Sequence, residues 1–588
     1  MSRDFLIGQE TEYAISFVPE PGNARPNNKR LFQALKFGIS SIVKNKPSDR
    51  HQWQEQFFVE NGGSFNYEAH PFHYEDGLLE GATPECKTPE ELLLYQKAQE
   101  SILMQATDVA EEWLLEKGHA GRLRLIKNCR DYEGNLYGAQ ENYELLASNK
   151  PFRYRLLLPL CLIPFIASFW LYLLVIMIFF VVSLLTIFVG SIVGFLLFWI
   201  LFGVLSVISQ RFRHYMNNLW SNLQQYISNI EKKMEKSLVY LDAYVGMPLY
   251  SFWMFPTLLF FRFFSFQPYR KQALSFFLSR SVISGAGSLM EDGGFALSEK
   301  AVGIKRLYRW HLGSEQRALF DDGNLIKQLM LGAYDLLYWK DGRIRMLFFQ
   351  KQRMQLGMSD SNMSQIAEYL KWGTSLVVFR MAEEGFLKDA PVVRNPIASL
   401  RKINADSTLQ QAVQTQDHGE MTALDLQQWY CERAKTFLAE HDTVSMEWME
   451  IVRLWSESLS LLREDPSLLF GRLDWVTKKY LIQEAGEGLD FAARKRIDIQ
   501  YHELGTGFFA RLEAEDLSLQ MVEPEAVARA VYEPSSPDKV QLRSRYIQQL
   551  SETDLDVVVN WDNVYIGTLG ERKVIDLNAY RNRRTPKE

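Results

Sequence analysis

Between Leu156 and Gln210 the chain contains no charged side chain, and this stretch restricts the possible folds more than any other. One membrane-spanning helix needs about 20 apolar residues, so the stretch is long enough for two. We therefore predict a transmembrane helical hairpin over about 156–210, with its turn between Val182 and Ser191. A helical hairpin buried in a soluble core is the alternative, but charge-free runs of this length are rare in such cores.

Basic side chains lie on both sides of the charge-free stretch. An excess of Lys and Arg marks the cytoplasmic ends of membrane helices, so both ends of the hairpin are expected in the cytoplasm. The lipid bilayer is thus a predicted partner, and the predicted location is the inner membrane with the catalytic domain facing the cytoplasm. The flanking residues are Lys150, Arg153 and Arg155 before the stretch, and Arg211, Arg213 and His214 after it.

The hairpin is predicted as an insertion into one catalytic domain. A juxtamembrane helix over 215–241 follows it, and then an interfacial segment over 245–266, where Pro248 and Pro256 interrupt a stretch that is short for a span. The predicted division is an N-terminal part of the catalytic domain at 1–149, the membrane insertion at 150–268, the rest of the catalytic domain at 269–515 and a small C-terminal domain at 516–588.

Hydrophobic periodicity predicts mixed strands and helices outside the insertion. Helices are predicted over 27–45, 88–117, the segment MSQIAEYLKW and much of 461–515. Strands are predicted near 5–17, 57–68 and 122–128, and in the segments RIRMLFF, QRMQLGM, SLVVFRM and DVVVNW.

Charge and cysteine content exclude several classes of protein. The formal net charge is −6, whereas a nucleic-acid-binding protein presents a basic face, so no nucleic-acid partner is predicted. The four cysteines are far apart in the sequence and lack metal-ligand spacing. They are expected to be reduced thiols in a cytosolic setting.

The segment IGQETEYAI places two carboxylates, Glu10 and Glu12, two residues apart in an apolar strand. Residues i and i+2 of a strand share a face, so the two acids point the same way. Two close carboxylates are costly unless a cation compensates them, and Mg²⁺ is the usual cation. The alternative is an exposed strand face with solvated acids.

Further acids follow other apolar segments and strengthen the metal interpretation. Several carboxylates at the ends of strands suit a Mg²⁺–nucleotide site, where the metal neutralises phosphate charge. No GxxxxGK[ST] motif occurs, which argues against a P-loop nucleotide site. These acids are Glu60, Glu68, Glu80, Glu85, Asp131, Glu133, Glu141 and Glu144, with Asn142 among the last of them.

An ordered set of motifs resembles the Pup ligase/depupylase family. The set comprises GQETEYAI, NGGSFNYE, EGATPEC, KNCRDYEGNLYGAQENY, SRSVISGAG, SDSNMSQIAEYLKWGTSLVVFRM and LDWVTKKYLI. The resemblance implies an α+β fold: a glutamine-synthetase-like curved antiparallel sheet backed by helices, with a small C-terminal domain. The transmembrane hairpin would be an addition to that fold.

The same resemblance implies ATP- and Mg²⁺-dependent ligation. ATP would phosphorylate a carboxyl group of a Pup-like small protein modifier, or another carboxylate substrate, and the lysine of a protein acceptor would attack the acyl phosphate. The alternatives are an ATP-dependent depupylase or deamidase on the same fold, a small-molecule carboxylate–amine ligase, and a degenerate homologue acting as a membrane scaffold. The short segment from Ile42 to Asn61 favours the ligase over the depupylase.

The resemblance also assigns roles to individual residues. Glu10, Glu12 and Glu80 are the predicted metal ligands, and Glu68 is the predicted catalytic base, one methylene longer than the family's aspartate. Because the segment HPFHYEDGLL lengthens the spacing between Glu68 and Glu80, Asp76 or Glu75 is the alternative base. The predicted nucleotide-binding residues are Arg380, Arg401, Asn362 and Asn142. Asn66 and Gln140 replace the family's tyrosine and histidine.

Overall fold

A computed structural model describes residues 5–48, 55–70, 73–205, 247–308, 317–321, 325, 328–329, 346–441, 445–486, 488–567 and 572–578. For 70, 73–74, 201–205, 247–254, 258 and some positions between 165 and 200, the backbone alone is described. The predicted juxtamembrane helix, the first part of RIRMLFF and the C-terminal segment YRNRRTPKE lie outside the described residues. The chain divides into two compact units: the first holds 1–149, 268–326 and 351–588, and the second holds 150–267 and 327–350.

The helices are numbered here in chain order. They are α1 Asn28–Ile42, α2 Pro89–Glu116, α3 Pro151–Leu205, α4 Met247–Phe264, α5 Gln267–Gln272, α6 Leu274–Ser279, α7 Ser281–Ser284, α8 Gln365–Glu383, α9 Pro396–Asn404, α10 Ala423–Ala439, α11 Met446–Glu464, α12 Asp474–Glu484, α13 Phe491–Gln500, α14 Phe508–Ala514, α15 Pro524–Ala530 and α16 Asp538–Leu550. Short 3-10 turns cover Ala301–Gly303 and Pro466–Leu469.

The strands are numbered in the same way. They are β1 Ile7–Pro19, β2 Asn45–Pro47, β3 Gln56–Val59, β4 Ser64–His70, β5 His73–Ala82, β6 Gly121–Ile126, β7 Gln140–Leu146, β8 Ser288–Leu289, β9 Phe295–Ala296, β10 Ile304–Tyr308, β11 Arg317–Asp321, β12 Lys351–Leu356, β13 Ala412–Gln414, β14 Glu420–Thr422, β15 Val557–Val559, β16 Asn563–Ile566 and β17 Lys573–Asp576.

One large sheet organises the first unit. Its strand order is β10-β11-β12-β7-β1-β5-β4-β3-β2, and β6 pairs with the second half of β1. The predicted α+β class is confirmed. The expectation of a purely antiparallel sheet is wrong at one edge, because β10 and β11 run parallel and make the sheet mixed.

Side-chain alternation along β1 decides which face of the sheet the helices cover. Thr11 and Tyr13 donate hydrogen bonds to Gln96 and Gln99 of α2. On the same face, Gln9 accepts a hydrogen bond from Trp372 of α8 at 3.0 Å. The even-numbered residues of β1 therefore point to the opposite face of the sheet.

The segment SLVVFRM is helical, so the strand predicted there is wrong. It forms the second half of α8, which begins after the N-cap Ser364 and is buried over most of its length. Buried Asp474 accepts hydrogen bonds from the backbone N–H groups of Met363 and Ser364 and fixes the start of this helix. Because nearly all of SLVVFRM is buried, the segment lacks an exposed polar face, and its apolar, β-branched run resembles that of a core strand.

The C-terminal strands and α16 share a small core with the large sheet. Phe58 of β3 packs in one buried cluster with Ile547, Val557 and Val564. An ion pair joins the same parts of the chain, because Arg543 of α16, fully buried, contacts the carboxylate of Glu85. The pKa of Glu85 falls to about 2, since the attraction of Arg543 and Lys539 outweighs the opposing effect of burial.

The second unit contains α3 and α4. Thr257 of α4 donates a hydrogen bond to the carbonyl of Cys161 at 2.7 Å, and the rings of Tyr154 and Phe260 lie 5.2 Å apart. The turn predicted between Val182 and Ser191 is wrong, because α3 continues through it as one helix of 55 residues. The predicted interfacial segment is likewise one helix, α4, which continues through Pro256.

Apolar side chains of α3 are exposed along its length, with Phe152 78% exposed, Phe188 63% and Trp199 55%. Among the residues that the structure describes, no helix is both long and apolar enough to cross a membrane.

Candidate active site

The sheet face opposite α2 and α8 carries a group of acids and amides, here called the acidic face. Strand register places its members together, because Glu12 pairs with Glu80 of β5, Asn66 of β4 pairs with Glu80, and Glu10 pairs with Gln140 of β7. Paired residues share a face of the sheet. The acidic face comprises Glu10, Glu12, Asn66, Glu68, Glu80, Gln140, Asn142, Arg353 and Gln355.

Glu10 is held by two polar side chains of β12. The Arg353 guanidinium donates to one carboxylate oxygen of Glu10 at 2.7 Å, and Gln355 donates to the other at 3.2 Å. The Nε of Arg353 also donates to Asn142 Oδ1 at 2.7 Å. In this structure an arginine therefore compensates the charge of the first predicted metal ligand.

Glu12 receives a hydrogen bond from the main chain. Its Oε2 accepts from the N–H of Gly138 at 2.9 Å. Gly138 has φ of +97°, and a Cβ there would lie 2.5 Å from the sulfur of Cys129. Only glycine fits this turn without displacing Cys129, so the turn that orients Glu12 depends on Gly138.

Glu80 is the most strongly perturbed acid on this face. Burial raises its pKa well above the usual value, and the charges of Glu10, Glu68 and Glu12 raise it further. Asn66 donates a hydrogen bond of 2.8 Å to Glu80 Oε2 and partly opposes that shift. The carboxylates thus repel one another through space, which is the condition that a bound cation relieves.

The donor set suits a hard cation, because carboxylates and amide oxygens are the ligands that Mg²⁺ prefers. Over the described part of the chain, however, no three acidic, His or Cys side chains lie together as a metal site would require. Instead of converging on one point, the carboxylate of Glu10 binds Arg353 and that of Glu12 binds the N–H of Gly138.

The predicted base lies on the same face as the predicted metal ligands. Glu68 of β4 pairs with Leu78, two residues before Glu80 on β5, and is half-buried. The alternatives, Glu75 and Asp76, lie near the start of β5 and are exposed. Of these three acids, Glu68 is the one whose charge acts on Glu80.

The predicted nucleotide-binding residues are dispersed. Asn142 lies on the acidic face, where it contacts Arg353. Arg380 lies in the last turn of α8 rather than in the predicted strand, and it forms ion pairs with Glu383 of the same helix and with the C-cap residue Glu384. Arg401 is exposed in the last turn of α9.

Asn362 is fully buried and its side-chain atoms already have protein partners. Its amide nitrogen donates to the Ser284 carbonyl at 3.1 Å and to Asp474 at 2.9 Å, while its oxygen accepts from Lys371 at 3.2 Å. The structure therefore gives Asn362 a role in orienting the chain before α8, away from the acidic face.

Several other acids of the sequence motifs have structural partners. Glu141 points to the helix-covered face, where Arg280 binds it through two hydrogen bonds of 2.6 and 2.8 Å. Glu60 accepts from the N–H of Lys44, and Asp131 from that of Asn135. These acids are not part of the acidic face.

Sequence reasoning missed three polar residues near the acidic face. Arg353 and Gln355 alternate within QRMQLGM, a pattern that places both on one face of a strand and could have identified them. Lys300 gave no such signal. It is fully buried, and its ammonium has no hydrogen-bond partner among the described residues. Its pKa falls to about 8, chiefly because of burial and then of Arg317, while Cys129 and Glu12 act in the opposite direction.

The fold, a mixed sheet backed by helices, is shared with solved structures. The chain resembles a Pup ligase, PafA, crystallised in complex with the prokaryotic ubiquitin-like protein Pup: TM-score 0.63, 20% identity, 97% of this chain and 88% of that one. It also resembles PafA in complex with ADP, with a TM-score of 0.57 and 19% identity over 95% of this chain and 92% of that one.

A family model described as Pup-ligase protein matches residues 5–565. The chain therefore belongs to the Pup-ligase family, as its motifs indicate.

Two curated relatives cover part of the chain. A Pup–protein ligase of Acidimicrobium ferrooxidans is 34% identical over 239 residues, which is 38% of this chain and 50% of the relative. A depupylase of Acidothermus cellulolyticus is 28% identical over 307 residues, 50% of this chain and 57% of the relative. The matched regions thus span about half the length of these curated relatives.

Proposed function

We propose that this chain is an ATP- and Mg²⁺-dependent ligase of Pup-ligase type. It would join a carboxyl group of a Pup-like modifier to the side-chain amine of a protein lysine. The observation that supports this most directly is the juxtaposition of Glu12, Glu80 and Glu68 on one face of three neighbouring strands. Family membership, the similarity to the Pup–protein ligase of Acidimicrobium ferrooxidans and the fold shared with PafA in its complex with Pup support a Pup-like modifier and a protein acceptor.

The proposed reaction has two transfers. A carboxylate oxygen of the modifier attacks the terminal phosphorus of ATP and ADP leaves, which forms an acyl phosphate. The lysine nitrogen then attacks the acyl carbon, phosphate leaves, and the lysine loses a proton. Phosphorylation is needed because a carboxylate by itself is a poor electrophile.

The metal ligands in this proposal are Glu12 and Glu80, with Glu10 as the third. Bound Mg²⁺ would offset the charge of the phosphate groups. Solved PafA binds ADP, which supports a nucleotide site on the shared fold.

Glu68 is the proposed base that accepts the lysine proton. It lies on the acidic face beside the metal acids, where the activated carboxyl group would be formed. Its charge contributes to the raised pKa of Glu80, so the two carboxyl groups are electrostatically close. Asp76 is the second candidate, because it lies on the same strand as Glu80.

Replacing the base provides the test of this function. Purified full-length protein in detergent is incubated with Mg²⁺–ATP, a Pup-like peptide ending in glutamate and a lysine-bearing acceptor protein, and mass spectrometry detects isopeptide-linked peptide. We expect conjugates with the wild type and a loss of about 10²- to 10⁴-fold in rate with Glu68→Gln. An unchanged rate in Glu68→Gln with a loss in Asp76→Asn would transfer the role to Asp76.

The depupylase relative makes hydrolysis the second candidate function. The same preparation is therefore offered a preformed conjugate and a glutamine-terminated peptide. Cleavage or deamidation without conjugation would show that the protein is a hydrolase and would contradict the proposed ligase activity. Inertness towards all three substrates would contradict both activities.

We also propose that residues 156–210 attach the protein to the inner membrane, with the catalytic domain in the cytoplasm. The proposal rests on the charge-free sequence of this stretch and on the exposed apolar side chains of α3. Because α3 is continuous, the proposed membrane attachment does not include a helical hairpin. The basic residues that precede the stretch, Lys150, Arg153 and Arg155, would lie at the headgroups.

Membrane attachment predicts resistance to alkaline extraction. After cell lysis and carbonate washing, the full-length chain is expected in the pellet with an integral membrane marker, while a peripheral marker is released. Immunoblotting of both fractions measures the distribution. Recovery of most of the chain in the carbonate supernatant would contradict the attachment and leave the proposed ligase activity untouched.

A further inference from the structure

The turn between β3 and β4 is buried, although connections between strands usually lie at a protein surface. Asn61, Gly62 and Gly63 are here called the glycine turn. The N–H of Gly63 donates to Asn61 Oδ1 at 2.9 Å, and that of Gly62 donates to the carbonyl of Val59 at 2.8 Å. The chain passes from this turn into β4, which carries Glu68. Contacts that cover the turn therefore act on the strand that holds the proposed base.

The C-terminal part of the chain covers the glycine turn. The helices α15 and α16 and the strands β15–β17 are together called the C-terminal module. The carbonyl of Ala530, at the end of α15, accepts a hydrogen bond of 3.0 Å from Asn61 Nδ2. Gly62 has φ of +92°, and a Cβ there would lie 2.3 Å from Val540 Cγ1 of α16. Only glycine permits this approach, so the turn and the module are fitted to one another.

Arg543 of α16 connects the glycine turn with both strands beside β4. Its Nη2 would lie 3.7 Å from a Cβ on Gly62. Its guanidinium binds the carboxylate of Glu85, three residues beyond the end of β5, and donates to the carbonyl of Trp561 at 3.2 Å. The centre of the guanidinium is 5.3 Å from the ring of Phe58 on β3 and 4.8 Å from that of Trp561. One fully buried side chain thus contacts three parts of the chain that border β4.

These contacts act at one end of β4. The strand lies between β5 and β3 in the sheet, and its first residue, Ser64, pairs with Phe58 and with Ala82. We propose that Arg543 is a positioning residue for the proposed base: it fixes the start of β4 and thereby the place of Glu68 relative to the acceptor amine. This inference rests on the proposed function. It involves Glu68 alone among the residues of the acidic face.

Displacement of the base predicts slower turnover with unchanged substrate binding. Arg543→Lys keeps the positive charge but lacks the planar guanidinium that binds Glu85 and lies close to two aromatic rings. In the full-length protein in detergent, kcat for conjugation of the Pup-like peptide should fall about 10- to 100-fold, because a base misplaced by about 1 Å is costly. The KM for the peptide should stay within about threefold of the wild type, since Glu68 acts on the acceptor lysine.

Val540→Ala tests the same cover without altering a charge. It removes the methyl groups that lie against Gly62 and leaves the pair of Arg543 and Glu85 in place. The kcat should fall about three- to tenfold with KM unchanged. In both variants, hydrogen exchange measured by mass spectrometry should be faster in peptides that cover the glycine turn, because its contacts with the C-terminal module are weakened.

A purely structural role would lower the folded fraction and leave the turnover of folded protein unchanged. Rates are therefore compared per folded molecule, well below the melting temperature of each variant. Ile547→Val is the matched control, because it removes one methylene from the buried core of the same module and leaves Arg543 and Val540 in place. It should lower the melting temperature and keep the wild-type kcat and the wild-type exchange in the glycine turn.

A wild-type kcat per folded molecule in both Arg543→Lys and Val540→Ala would overturn the positioning role, whatever their melting temperatures. A loss of kcat with unchanged exchange in the glycine turn, or an equal loss in Ile547→Val, would overturn it as well. If Arg543→Lys does not fold, Val540→Ala decides between these outcomes. A wild-type protein that forms no conjugate contradicts the proposed function, and the positioning role fails with it.

Discussion

Glu12→Gln and Glu80→Gln should each weaken the binding of Mg²⁺–ATP by at least about 100-fold. Each substitution preserves the size of the side chain and removes one negative charge from the proposed metal site. Loss of one charged metal ligand costs several kcal/mol of electrostatic stabilisation, and about 1.4 kcal/mol corresponds to a factor of ten in affinity. Calorimetric titration of the full-length protein measures the effect.

The melting temperature separates a binding defect from misfolding. Burial and neighbouring acids raise the pKa of Glu80 in the folded protein, so its ionised form opposes folding at neutral pH. That penalty is absent below the unfolded pKa and grows as pH rises above it. Glu80→Gln should therefore keep or raise the melting temperature of the nucleotide-free protein at pH 7.5.

Glu144→Gln is the control for both variants. Glu144 lies on β7, two residues beyond Asn142 and therefore on the same side of the sheet, 3.9 Å from Lys351. Its affinity for Mg²⁺–ATP should remain within about threefold of the wild type. Equal affinities in Glu12→Gln, Glu80→Gln and Glu144→Gln would rule out the metal site.

The second large effect concerns the buried pair of Glu141 and Arg280. Both side chains are almost completely inaccessible, and the pair is joined by two hydrogen bonds. Tyr143 also donates to Glu141, and the carbonyl of Met358 accepts from Arg280 at 2.7 Å. Glu141→Ala should destabilise the protein by about 3–5 kcal/mol, because it leaves a buried guanidinium without its counter-charge.

Thermal unfolding measures this destabilisation, which should lower the melting temperature by about 2–4 °C in a chain of 588 residues. The double variant Glu141→Ala/Arg280→Met should recover part of the loss, since no unpaired charge remains. Glu144→Ala, three residues along β7 on the other face, should change the melting temperature by less than about 1 °C. Similar losses in Glu141→Ala and Glu144→Ala would contradict the assignment.

Local sequence patterns determined much of the sheet and its chemistry. The alternation in IGQETEYAI predicted a strand with Glu10 and Glu12 on one face, and β1 has that arrangement. Period-two patterning also located β12, because residues on a half-buried strand must alternate between two environments. The order of the motifs indicated the family, which the family model confirms.

The same patterns were misleading where burial removed their periodicity. The run SLVVFRM is buried on all sides within α8, so it lacks the polar face by which a helix is recognised. The apolar stretch from Leu156 also lacks a polar face, although many of its side chains are exposed. Its turn at 182–191 was expected from length alone, and the structure instead continues α3 through it.

Tertiary structure alone decided which acids are functional candidates and which are structural. Glu10 and Glu141 both belong to acid-rich motifs, and both are partnered by arginines distant in sequence, Arg353 and Arg280. Strand register places Glu10 among acids on one face and Glu141 among the helices on the other. By itself the sequence determined the strands, the family and the acids available for metal binding. Only the packed sheet decided their neighbours, because electrostatic interactions depend on distances that sequence separation does not fix.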